Sequence, residues 1–91
     1  MDNYETLKAR FDAVADVNEA IAGLTEYIAA HPGDDDALSL RGMKYWSAGE
    51  RSKAINDYLA AIKLNPESRA KMAIKTAYEV LNFYNKDLYN P

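Results

Sequence analysis

Apolar residues return every three or four positions along most of this chain, and each run ends at a glycine, a proline or an acidic cluster. Tyr4, Leu7, Phe11 and Val14 form the first stripe. Val17, Ala20, Ile21, Leu24 and Ile28 form the second, behind Asp16 and Glu19, which together resemble a capping box. Gly33 supplies a turn, and Asp34, Asp35 and Asp36 offer an N-cap and first-turn acids for a third helix, Asp36 to Ala48, with Leu38, Gly42 and Tyr45 on one face. Gly49 stops that helix, because glycine accepts a left-handed conformation at low cost. A fourth runs from about Glu50 to Leu64, with Ala54, Ile55, Tyr58, Ala61 and Ile62 inward. A fifth is expected to begin at Asn65-Pro66-Glu67, since Asn caps well and Pro fits the first helical position. On that helix Ala70, Ala73, Ile74, Ala77, Leu81 and Tyr84 gather on one side, opposite Lys71, Lys75, Glu79 and Lys86. The pattern predicts an all-α chain of five helices.

The first two pairs of helices are copies. Laying residues 1–34 over 35–68 without gaps matches Asp2 with Asp36, Ala20 with Ala54, Ile21 with Ile55, Ile28 with Ile62 and Pro32 with Pro66. A fixed period of this kind marks stacked helix-turn-helix units. In the second unit Gly42, Tyr45, Ala54, Tyr58, Ala61 and Pro66 stand at the small, aromatic and proline positions of the tetratricopeptide repeat (TPR), and the chain resembles that family over roughly residues 1–68. The physical sense of these positions is close approach of paired helices, with Gly42, Ala54 and Ala61 making room and the tyrosines filling the space beside them. Arg41 stands where leucine is usual and must snorkel or find an acid. The first unit departs further: Lys8 and Tyr27 replace small residues, so that pair is expected to splay. The resemblance implies one domain, 1–91, built as a right-handed superhelical stack, with a degenerate repeat (1–34), a second repeat (35–68) and a capping helix with its tail (66–91). The tail, NFYNKDLYNP, resembles the ending of certain small stand-alone bacterial TPR proteins.

Composition narrows the function classes. With 48% hydrophobic and 27% charged residues the chain has apolar surface enough to fold, yet a chain of 91 residues cannot enclose an elaborate catalytic pocket. The net charge of −3 gives no pull toward phosphate backbones or anionic membranes, so neither nucleic acid nor membrane is an expected partner. Cysteine is absent, which removes disulfides, thiolate metal sites and cysteine nucleophiles. The N-terminus has no apolar core of signal-peptide type and no stretch has the length of a membrane span, so a cytoplasmic protein is expected.

No catalytic constellation is legible. His31, the single histidine, sits in His-Pro-Gly at a helix end and reads as a C-terminal residue. Asp34, Asp35 and Asp36 lack the alternating oxygen spacing of a calcium loop. Glu5 and Asp12 lie two turns apart on an open face with nothing to raise either pKa. Arg69, Lys71 and Lys75 read as a solvated face. The expectation is a protein without enzymatic activity, cofactor or metal.

The third helix is apolar on two sides. Leu38, Gly42 and Tyr45 belong to the core, while Leu40, Met43 and Trp46 lie on another side with Ser39 and Ser47. The TPR resemblance implies that this second side faces a concave groove that binds a peptide or helix. It implies Glu5 and Asp12 on the near wall and, with the cap helix shifted in register, Lys71, Lys75 and Tyr78 on the far wall. A ligand bearing both charges would suit such walls. The chaperone-type carboxylate clamp is not implied, because its basic and amide positions hold Glu5, Ala9, Ser39 and Met43. The rival expectation is a homodimer: Met72 and Phe83 fall away from the apolar face of the last helix and are either covered by Leu88 and Tyr89 or left for a second copy, and two repeats are marginal for an isolated solenoid.

Overall fold

Three aspartates start three helices. Asp2 accepts a hydrogen bond from the Tyr4 amide and opens α1 (Asn3–Asp12). Asp16 accepts from the Asn18 and Glu19 amides and opens α2 (Val17–Ala30). Asp34 accepts from the Ala37 amide and opens α3 (Asp35–Ser47). Each satisfies amides that would otherwise go unpaired, a contribution of about 1 kcal/mol per cap. The remaining helices are α4 (Arg51–Leu64) and α5 (Ala70–Tyr89). The structure, a computed structural model, describes residues 2–89, with side chains through 83; the expectations for Tyr84, Lys86, Leu88 and Tyr89 side chains lie outside that range. Among the described residues there is no strand.

The turn between α3 and α4 is set by Gly49 at φ +82°. Its amide donates to the Trp46 carbonyl and the Glu50 amide donates to the Tyr45 carbonyl, the paired bonds of a Schellman motif. The turn between α4 and α5 differs from the sequence expectation. Asn65 does not cap α5; its side chain accepts from the Glu67 amide and its carbonyl from the Ser68 amide, so Asn65-Pro66-Glu67-Ser68 closes a turn. The cap passes to Ser68, whose hydroxyl accepts from the Ala70 amide, and α5 begins several residues later than the Asn-Pro signal implied.

α3 is the centre of the molecule. Its Ala37 and Leu40 join Tyr4, Leu7, Phe11 and Leu24 in one buried cluster. Its Leu38 joins Ala54, Tyr58, Ala61, Ala70, Ile74 and Ala77 in another, and Ile28 packs against both. α3 and α4 lie together along their length, whereas α1 meets α2 over a much shorter stretch. Gly42 explains the tight pair: a β-carbon there would stand 2.6 Å from a ring carbon of Tyr58 and 3.2 Å from the Ala54 carbonyl oxygen. In the looser pair the contact is made by Gly23, where a β-carbon would come within 2.8 Å of the Phe11 ring. Here the glycine and the aromatic have exchanged helices.

Arg41 finds its acid. Its Nε and Nη2 donate to the two carboxylate oxygens of Asp57 at 2.8 and 2.7 Å, and Nη1 donates to Thr25 Oγ1 at 3.3 Å. Asp57 is buried, so this bidentate bond clips α3 to α4 and touches α2. The acidic run at the start of α3 ties in the other helices. Asp34 accepts from Asn3 and from the Tyr27 hydroxyl, Asp35 from Asn65, and Asp36 from Asn3, with Arg69 3.5 Å away.

Candidate functional site

α5 leans away from α3, and the residues it turns toward that helix are small. Ala73, Thr76 and Ala77 on α5 face Met43, Trp46 and Ser47 on α3 across a cleft of about 310 Å³, with Met72 at its edge and Tyr58 of α4 as its floor. The cleft exists because two alanines and a threonine cannot fill the distance between these helices. Its walls are apolar and partly open: Met43 is 38% exposed and Met72 67%, while Trp46 is half-buried. The Arg51 guanidinium lies 5.0 Å over the Trp46 ring, and the Tyr4 hydroxyl donates to the Met43 sulfur at 2.9 Å, fixing that side chain from the α1 side.

Tyr58 is buried, 3% exposed. Burial pushes its hydroxyl pKa up to about 12, so it stays protonated and a hydrogen-bond donor throughout the neutral range. Beside the cleft, Ser68, Arg69, Lys71 and Lys75 line a shallower depression that shares Met72 with it. Arg69 is committed: it pairs with Asp2 at 2.8 Å and lies 3.8 Å over the Tyr4 ring. Lys71 and Lys75 are exposed and, among the described residues, have no carboxylate within 4.0 Å.

The structure gathers only some of the residues that the sequence singled out. Trp46 and Met43 line the cleft, and Lys71 and Lys75 flank it. Ser39 and Leu40 do not belong to it. Both are 1% exposed: Leu40 fills the cluster under α1, and the Ser39 hydroxyl donates to the Asp35 carbonyl and meets the Ser68 hydroxyl at 3.2 Å. The second apolar side of α3 is thus divided, its first half covered by α1 and α5 and only its last turns open. Asp12 does not line the cleft; Lys44 and Lys8 each hold its carboxylate at 2.6 Å and keep its pKa below the usual aspartate range. Glu5 is exposed on α1 and Tyr78 on α5, and neither lines the cleft. Met72 and Phe83 are each 67% exposed; Met72, expected at a dimer contact, is a cleft residue.

Tyr58 and Thr76 line the cleft and were not among the residues the sequence singled out for it. Tyr58 was legible as an inward tyrosine, and the small residues of α5 were legible as a stripe, but the cleft depends on how α5 crosses α3. His31 behaves as a helix terminus, its ring stacked on Tyr27 at 4.2 Å and Nδ1 3.1 Å from the Tyr27 carbonyl oxygen. No group of three or more potential metal ligands occurs among the described residues, and no helix there is long and apolar enough to cross a membrane.

No protein-family model matches the chain, and no curated protein matches it. Among solved structures, the solution NMR structure of Bacteroides fragilis protein BF1650 is similar, with 42% sequence identity over 99% of this chain and 91% of that one, at a TM-score of 0.78.

Proposed function

We propose that this chain, which belongs to one family with Bacteroides fragilis protein BF1650, is a non-catalytic protein–protein interaction module of the tetratricopeptide-repeat type. In this reading α1–α2 and α3–α4 are two repeats of a right-handed superhelical stack, α5 is its cap, and a peptide or helix of a partner binds between α3 and α5. The repeat assignment is supported by the shared register of Pro32 and Pro66, each two residues after a helix of 14 residues, and by the Gly42–Tyr58 approach in the better-matched unit. The binding assignment rests on one observation: Trp46, Met43 and Met72 stand partly open around an apolar cleft. A half-buried tryptophan with its base packed and its edge free is the usual anchor of a protein interface.

Trp46 is the single tryptophan, so its fluorescence reports on the cleft. Peptides selected from a randomised display library against the full chain are expected to shift that emission. The Trp46→Ala variant should bind them more weakly by about 2 kcal/mol or more while unfolding at nearly the same temperature. Selected peptides that bind this variant as tightly as wild type would refute the site. A second reading, self-association, is favoured by the exposure of Met72 and Phe83, which lie along one line of α5. Sedimentation at micromolar concentration tests it, and a monomer there excludes it.

A further inference from the structure

The Tyr58 hydroxyl has no hydrogen-bond partner among the described residues, although the residue is 3% exposed. No fully enclosed side-chain nitrogen or oxygen goes unpaired among them, so this hydroxyl keeps its access to solvent, and Tyr58 is one of the residues that line the cleft. A phenolic hydroxyl that water reaches inside an apolar cleft offers its proton to an acceptor that displaces the water.

The rim has a matching bias. Among the described residues, nothing lining either depression carries a negative charge. From Ser68 to Tyr78 the chain holds Arg69, Lys71 and Lys75 and no acid, in a protein whose net charge is −3, and Glu79 bounds that stretch one turn beyond Lys75. Arg69 is neutralised by Asp2 and Asp36, and Asp12 by Lys8 and Lys44, which leaves Lys71 and Lys75 as the unspent charges beside the cleft. They stand one helical turn apart, about 6 Å, the spacing of two carboxylates at i and i+4 on a facing helix.

We propose that the occupant of the α3–α5 cleft is an acidic segment of a partner protein. It places an apolar side chain between Trp46 and Met72, an acceptor oxygen on the Tyr58 hydroxyl and carboxylates against Lys71 and Lys75. The inference rests on the reading of the cleft as a peptide site and replaces the expectation of a ligand with both charges. Polarity at the rim sets which segment is accepted, and the anchor supplies the hold.

The test uses the full chain and the peptides recovered from a randomised display library. The expected peptides pair Asp or Glu with a neighbouring Leu, Met or aromatic residue. Their affinity should fall at least about tenfold in the K71E/K75E double variant and recover when their acids are exchanged for lysines. Tyr58→Phe keeps the ring against Gly42 and should cost about two- to tenfold in affinity. Peptides without acidic enrichment, or equal binding to K71E/K75E, would overturn the acidic partner and leave the binding site standing. Peptides indifferent to Trp46→Ala, or none recovered, would overturn both. Single-stranded RNA that binds through Lys71 and Lys75 without moving Trp46 fluorescence would assign the lysines to a different class of ligand and also overturn the proposal.

Discussion

Replacing Gly42 by alanine sets two effects of known sign against each other. In the interior of α3 alanine is favoured over glycine by about 1 kcal/mol, because it has less backbone freedom to lose. Against that, the new methyl would stand 2.6 and 2.8 Å from two carbons of the Tyr58 ring and 3.2 Å from the Ala54 carbonyl oxygen. Carbon pairs are comfortable at roughly 3.5–4.0 Å, so the ring must give by about 1 Å. Both Tyr58 and Ala54 are buried and the carbonyl belongs to the α4 backbone, which leaves displacement toward the cleft as the only easy response. Overpacking of this kind costs about 1–3 kcal/mol, and contact on two sides argues for the upper end. About 3 less about 1 leaves a net destabilisation of about 2 kcal/mol, or a fall in Tm of roughly 8–16 °C for a domain of this size. Thermal unfolding followed by circular dichroism at the helical band measures it. A control follows: in a Tyr58→Leu background the ring is gone and the 3.2 Å approach to the Ala54 carbonyl remains, so Gly42→Ala should cost much less than it does in the wild type. An unchanged or raised Tm for Gly42→Ala alone would show that α3 and α4 do not meet through this glycine.

Two further predictions concern charge. Asp57→Ala strands the Arg41 guanidinium, 18% exposed, without its bidentate acceptor and should destabilise by about 2 kcal/mol; Arg41→Leu combined with Asp57→Ala removes both charges and should recover most of that loss in urea denaturation. The Asp12 carboxyl is held below the usual aspartate range by its hydrogen bonds from Lys44 and then Lys8, so the unfolded chain takes up its proton at higher pH than the folded one. The link therefore contributes fully above the ordinary aspartate pKa and fades as pH drops below about 4. Asp12→Asn should lower Tm slightly at neutral pH, and its Tm should converge with that of wild type in acid.

Much of the fold is legible because it is local. Asp16, Asp34 and Gly49 announce helix ends within four residues of the bonds they make, and the alanine and glycine positions announce where helices touch. The start of α5 is misread at Asn65-Pro66 because the same two residues serve equally well in a turn, and the choice falls to Ser68, whose hydroxyl is also held against Ser39 of a distant helix. The faces of α3 are misread for a related reason. Periodicity shows that Leu40 and Met43 lie on one side of a helix but not where the neighbouring helix crosses it; α1 covers Leu40 and stops short of burying Met43. The cleft itself has no local signature, since Tyr58, Met72 and Trp46 come from three helices and meet only through the lean of α5.

The bond from Arg69 to Asp2 joins positions 67 apart, and Asp36 at the start of α3 lies between them. Here the junction is closed from both ends: the opening of α1, the end of α4 and the approach to α5 all converge on the three aspartates that begin α3. The contacts here close into a ring: Asp2 at the opening of α1 and Asp36 at the start of α3 both meet Arg69 just before α5, so three helices distant in the chain share one polar junction.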